Sequence, residues 1–150
     1  MEFDATVEIA RPASEVFARL ADAQEMAVYR GSPVIAMEKV PSGETRAGTR
    51  WREIIRLGPG LRMTILSEVS EYDPPVTLGI RFTGGSMRGE LTYTVQTAGE
   101  GSVLRQEESL EPVGWLEPFG WLVERMLRPR LIARLLDLKR VMEAGGVRSF

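Results

Sequence analysis

The chain has 150 residues, 43% of them hydrophobic and 27% charged, with a formal net charge of −2, the makeup of one soluble globular domain with a single core. It has neither cysteine nor histidine, which excludes disulfides, thiolate nucleophiles, cysteine or imidazole metal sites and the Ser-His-Asp triad. No apolar run reaches membrane-spanning length, the N-terminus lacks a signal-peptide pattern, and the charge balance leaves no footprint for nucleic acid, so a cytoplasmic protein is expected.

"MEFDATVEIA" opens with strict alternation, Phe3, Ala5, Val7 and Ile9 against Glu2, Asp4, Thr6 and Glu8, the pattern of a half-buried strand. "RPASEVFARLAD" places Pro12 in a first helical turn and Val16, Phe17 and Leu20 on one face. Asp22 and Glu25 have capping-box spacing, which predicts a second short helix carrying Met26 and ending near Tyr29, before "RGSPV" breaks it. From Val34 to about Leu110, turn signals recur at Pro41-Ser42-Gly43, Gly58-Pro59-Gly60, Asp73-Pro74-Pro75, Gly84-Gly85 and Gly99-Glu100-Gly101. The segments between are strand-length and leave no room for helical crossovers, which predicts a six-strand antiparallel meander. In "LEPFGWLVERMLRPRLIARLLDLKRVMEA", Phe119, Leu122, Val123, Met126, Leu127, Leu131, Leu135, Leu138 and Met142 recur at helical spacings. Pro129 is expected to kink or restart that helix. There is no repeat, linker or low-complexity tract, so residues 1–150 read as one domain.

In that order these pieces resemble the SRPBCC superfamily, the helix-grip proteins that include START domains, birch-pollen-allergen-like proteins and bacterial polyketide cyclase/dehydrases. The resemblance is carried by "VEIARPASEVFARLAD", "RAGTRWRE", "EVSEYDPPVTLGIRF", "GELTYTVQTAGEGSVLRQEESLE" and "LIARLLDLKRVMEA", and is strongest to the polyketide cyclase/dehydrase-like group. It implies an α+β fold: a curved seven-stranded antiparallel sheet wrapped around a long C-terminal helix, with two short helices after the first strand. Members commonly end the second short helix with a tryptophan, where this chain has Tyr29, so its pocket mouth is expected to differ. The group divides into binders, carriers, cyclases and chaperone-associated modules, so fold does not fix function.

With that fold, strand parity names the lining. The third strand contributes Trp51, Glu53, Ile55 and Leu57, and the fourth Leu61, Met63, Ile65, Ser67 and Val69. Val76, Leu78, Ile80 and Phe82 come from the fifth, and Met87, Leu91, Tyr93 and Val95 from the sixth, where Gly89 leaves room. The seventh is ambiguous. Its even set, Leu104, Gln106, Glu108 and Leu110, is the more apolar and is taken as inward. The interior is then apolar with sparse polar groups, as in a small-molecule pocket. Glu53, on an apolar face between Trp51 and Ile55, is the anomaly, because burying a lone carboxylate is costly. It pairs with an arginine, reaches water through a cavity mouth, anchors a ligand, or serves as a general acid or base. Without histidine, proton transfer falls to Asp, Glu, Lys, Tyr or arginine-perturbed groups, which makes Glu53 and Tyr93 the candidate catalytic pair.

Trp115, Phe119 and Trp121 gather before the last helix, either as a lid on the sheet or as a ligand gate or membrane-touching surface. Trp121 and Met126 are accordingly counted with the ligand-binding set. All but Lys39 and Lys139 of the 19 basic residues are arginine, a bias assigned to a GC-rich genome. Arg125, Arg128, Arg130, Arg134 and Arg140 are read as a solvated helix face. The expected function is binding of a hydrophobic or amphipathic small molecule, lipid, isoprenoid or polyketide-like, between sheet and helix. The alternative is a cyclase/aromatase-like enzyme of aldol cyclisation or dehydration using a cavity carboxylate and tyrosine. No cofactor or metal is expected, and the chain is expected as a monomer or homodimer with transient membrane contact at most.

Overall fold

The structure, a computed structural model, describes residues 1–22, 34–41 and 43–145. The expected second short helix, with Met26 and Tyr29, falls outside the described residues, as does the side chain of Leu57. The strands are β1 (Glu2–Ile9), β2 (Val34–Val40), β3 (Arg50–Gly58), β4 (Leu61–Asp73), β5 (Thr77–Gly84), β6 (Met87–Ala98) and β7 (Gly101–Pro112). They form one antiparallel sheet in the order β1-β7-β6-β5-β4-β3-β2. Helix α1 (Ala13–Ala21) follows β1, and a 3-10 helix (Gly114–Phe119) leads into α2 (Gly120–Gly145). This is the helix-grip arrangement.

Local chemistry accounts for these elements. Alternation in β1 buries Phe3 and Ile9 while Glu2, Asp4, Thr6 and Glu8 face outward or stay less buried. Pro12 caps α1, Glu15 lies in its first turn and Arg19 in its last, the polarity that the helix dipole favours. Val16, Phe17 and Leu20 make its buried face, and the Phe17 ring packs against Tyr72 at a centroid distance of 5.6 Å.

The meander sorts its turns to two ends. The β4–β5 and β6–β7 turns share one end with α1, and the β3–β4 and β5–β6 turns share the other with the 3-10 helix. Helix α2 runs from the second end to the first and is tied to the sheet at both. Arg128 donates to the carbonyl of Glu2 at 2.9 Å, and Lys139 to that of Glu8 at 2.5 Å. Near the α1 end the Ala10 amide donates to the Glu143 carboxylate at 2.8 Å.

The interior is filled unevenly. Near α1 the inward side chains Trp51, Val69, Leu78, Tyr93, Val95 and Leu104 join Val16, Phe17, Leu20, Leu135, Leu138 and Met142 in a sealed core. Toward the other end, inward Ile55, Met63, Ile65, Phe82, Met87 and Leu91 all keep some contact with solvent. Helix α2 packs chiefly against β1 and β7, at one side of the sheet.

Several details depart from the sequence expectations. Helix α2 continues through Pro129 instead of restarting. The helix interior normally loses a hydrogen bond and meets a ring clash at proline, but Pro129 is exposed and the helix is tied to β1 before and after it, through Arg128 and Lys139. Val76 lies in the turn before β5, and Leu61, at the β3–β4 tip, is 58% exposed, so neither lines the interior. Phe119, Leu122 and Met126 belong to an exposed apolar face of the C-terminal segment, with Ile132 and Leu136. The helix is apolar on two sides, which spacing alone does not separate. Among the described residues no helix is long and apolar enough to cross a membrane.

Candidate functional site

The polar groups inside the sheet come from strands far apart in the sheet order. Glu53 lies on β3, where it pairs across the ladder with Ile65. Tyr93 on β6 faces Gln106 on β7, and Leu91 faces Glu108, so Glu108 sits diagonally beside Tyr93 on the same face. Ser102, Leu104, Gln106, Glu108 and Leu110 are all buried, which fixes the even set of β7 as inward. Gly89 lies near the start of β6, where a Cβ would come within 2.6 Å of Phe82 Cζ and 2.3 Å of the Ser109 carbonyl oxygen. The Phe82 ring therefore crosses the glycine, and the expected room on that face is occupied by a neighbour's aromatic edge.

Arg134 of α2 joins these groups. Its guanidinium donates a hydrogen bond to the Tyr93 hydroxyl, and its charge acts on both Glu53 and Glu108. One cation can influence carboxyls on β3 and β7 because the sheet curls around the helix. Arg134 is half-buried and faces these groups, unlike the solvated face expected for it together with Arg125, Arg128, Arg130 and Arg140. The signal was present in the spacing: Arg134 lies three residues after Leu131 and four before Leu138, on the helix face that turns inward.

Burial dominates the electrostatics. Glu108 is 8% exposed, and loss of hydration lifts its carboxyl from 4.5 to about 7, although Arg134 pulls the other way. Glu53 is half-buried and is also raised by desolvation, again opposed by Arg134. Desolvation raises the Tyr93 phenol as well, so the hydroxyl keeps its proton. Four polar atoms are buried without a hydrogen-bond partner among the described residues, Arg11 Nε, Ser102 Oγ, Trp51 Nε1 and Gln106 Oε1, and of these Gln106 Oε1, an acceptor, lies beside Tyr93. Native interiors seldom leave such atoms unpaired.

The predicted lining thus divides in three. Ile55, Met63, Ile65, Ile80, Phe82 and Leu91 face inward and are partly accessible, and Glu53 is accessible among them. Trp51, Leu78, Tyr93, Gln106 and Glu108 are buried, Leu78 completely. Trp121 and Met126 are 66% and 53% exposed, and the aromatic group of Trp115, Phe119 and Trp121 does not close down as a lid on the sheet.

A curved antiparallel sheet gripping one long helix, apolar within and carrying a small polar cluster, defines the helix-grip fold. Residues 1–143 match the family model described as "Polyketide cyclase / dehydrase and lipid transport", and the chain belongs to that family. No curated protein matches it in sequence. Among solved structures it is similar to TTHA0849 from Thermus thermophilus, with TM-score 0.77, 21% identity and coverage of 97% of this chain and 99% of that one. It is similar to norcoclaurine synthase from Thalictrum flavum, with TM-score 0.73, 13% identity and coverage of 99% and 87%. It also resembles the di-domain ARO/CYC StfQ from the steffimycin biosynthetic pathway, with TM-score 0.67 and 17% identity over 99% of this chain and 46% of that one. At these identities the structural likenesses establish the fold.

Proposed function

We propose that the protein binds an amphipathic small molecule between the sheet and α2. Its apolar body lies against Ile55, Met63, Ile65, Ile80, Phe82 and Leu91, and its polar end meets the cluster around Arg134. The observation that carries this reading is the placement of charge. Glu53, Glu108, Tyr93 and Arg134 converge at the boundary between the sealed core and the open half. A protein that only needed to fold gains nothing there, since a well-packed apolar substitute for buried charges is often as stable or more so. The unpartnered Gln106 Oε1, opposite Tyr93 on the next strand, adds an acceptor that a ligand hydroxyl would meet. Affinity comes chiefly from apolar burial, about 25 cal/mol per Å² before ordering costs.

Titration with the fluorescent probe 8-anilinonaphthalene-1-sulfonate, which has an apolar body and an anionic end, tests this. Saturable binding is expected, and Leu91→Trp, which plugs the open half, is expected to weaken it about tenfold, the scale of a lost pair of buried methylenes. Unchanged binding by that variant would place the probe outside the sheet and remove the reading.

A second reading rests on one observation, the Glu108 carboxyl poised at about 7. A group there moves protons efficiently near neutrality. In a cyclase of polyketone-like substrates, the Glu108 carboxylate takes the proton next to a carbonyl and Tyr93 donates a hydrogen bond to the developing enolate oxygen. Arg134 supplies positive charge to the same region. Glu108 replaces Glu53 as the stronger candidate base, with Tyr93 retained as the donor. Turnover that Glu108→Gln abolishes while probe binding survives would select this reading over a carrier.

A further inference from the structure

The end of the molecule opposite α1 has a surface that the interior does not explain. Trp115 is 73% exposed and Trp121 66%, with Phe119 and Leu122 exposed nearby. Large aromatic side chains cost hydration free energy in water, and clusters of this kind mark interaction sites. The β3–β4 hairpin tip, at the same end of the sheet, adds to it: Leu61 is exposed, and directly beneath it Arg56 and Arg62 stand opposite each other across the β3–β4 ladder. Like charges in that register are destabilising, and neither has an ion pair among the described residues. Arg125, on the first turns of α2, adds a third exposed cation. Of the acidic groups nearby, Glu111 pairs with Arg88 at 2.9 Å and Glu124 with Arg128 at 2.7 Å, leaving exposed Glu117 and Glu2. A local basic excess thus sits on a chain whose net charge is −2.

We propose that this end docks reversibly on an anionic lipid bilayer, with Trp115, Phe119 and Trp121 entering the headgroup boundary and Arg56, Arg62 and Arg125 meeting lipid phosphates. Exposed tryptophans with flanking arginines suit that interface: the indole is apolar with one polar N–H, and the guanidinium pairs with phosphate. A protein partner would more readily be met by a continuous apolar patch without the opposed arginines. The same end carries the open half of the interior, so an apolar guest could pass between bilayer and sheet with little exposure to water. The docking surface itself stands whatever the interior holds.

Co-sedimentation with phosphatidylcholine vesicles, with and without phosphatidylserine, tests the proposal. Binding is expected to require phosphatidylserine and to shift Trp115 and Trp121 fluorescence to the blue, while buried Trp51 contributes a constant background. Each surface arginine contributes about fivefold to such partitioning, so R56E/R62E is expected to lose about 25-fold or more. W115A/W121A, at exposed sites where truncation leaves the fold intact, is expected to lose binding and the blue shift together. Three results would each overturn the proposal: no sedimentation with either vesicle, equal sedimentation with both, or self-association in solution that W115A/W121A abolishes. Probe binding inside the sheet is read separately, so failure here is distinguishable from failure of the interior site.

Discussion

Glu108→Gln is expected to make the protein more stable above pH 7 and to flatten the dependence of its stability on pH. The sign follows from the raised carboxyl. In the folded protein Glu108 holds its proton up to about pH 7, whereas in the unfolded chain it releases it near 4.5. Its favourable contribution is therefore complete below about pH 4.5 and is lost progressively as pH rises to about 7. The shift corresponds to roughly 3 kcal/mol, a large share of the stability of a domain this size. Glutamine keeps the shape and stays neutral, so the loss disappears. Urea unfolding of both proteins across that pH range isolates the effect, because Asp4, Glu111 and Glu143, whose carboxyls are lowered by their partners, are common to both. Parallel stability curves would show that Glu108 titrates normally and is not desolvated.

Arg134→Met should separate the polar cluster into its parts. Removing the guanidinium leaves the buried Tyr93 hydroxyl without its donor and removes the positive charge that restrains Glu53 and Glu108. Both carboxyls move further up, so Glu108 titrates above 7 in the variant. Loss of a charged hydrogen bond to a buried group costs about 2 kcal/mol of stability. The anionic end of the fluorescent probe should bind at least about tenfold more weakly. Side-chain carboxyl resonances followed through a pH titration check the first outcome, and urea unfolding the second. A Glu108 titration unmoved by the substitution would mean that Arg134 does not act on it.

The sequence carried the architecture because alternation and turn chemistry repeat with little ambiguity from β1 to β7. Each strand interior follows from a period of two, and even β7, where both faces hold charged residues, was decided by Leu104 and Leu110. The site was only half legible. Glu53 drew attention because a carboxylate between Trp51 and Ile55 violates the pattern. Glu108 entered with its strand, but nothing local marks it as the more deeply buried of the two, since that depends on how tightly β7 lies under α2. Arg134 was lost among five arginines of one helix, although its place between Leu131 and Leu138 distinguishes it. Trp121 and Met126 are both largely exposed, because α2 has one apolar face against the sheet and another in solvent, a distinction that composition and spacing do not carry.

The most direct test of the interior site is the native mass of freshly purified protein compared with its denatured mass. A bound amphipathic guest is expected to appear as a reproducible excess that vanishes on denaturation and falls in Arg134→Met, and its extraction would identify its chemical class. Equal native and denatured masses, persisting after incubation with the fluorescent probe, would contradict the account and leave the polar cluster as a structural feature of a closed fold.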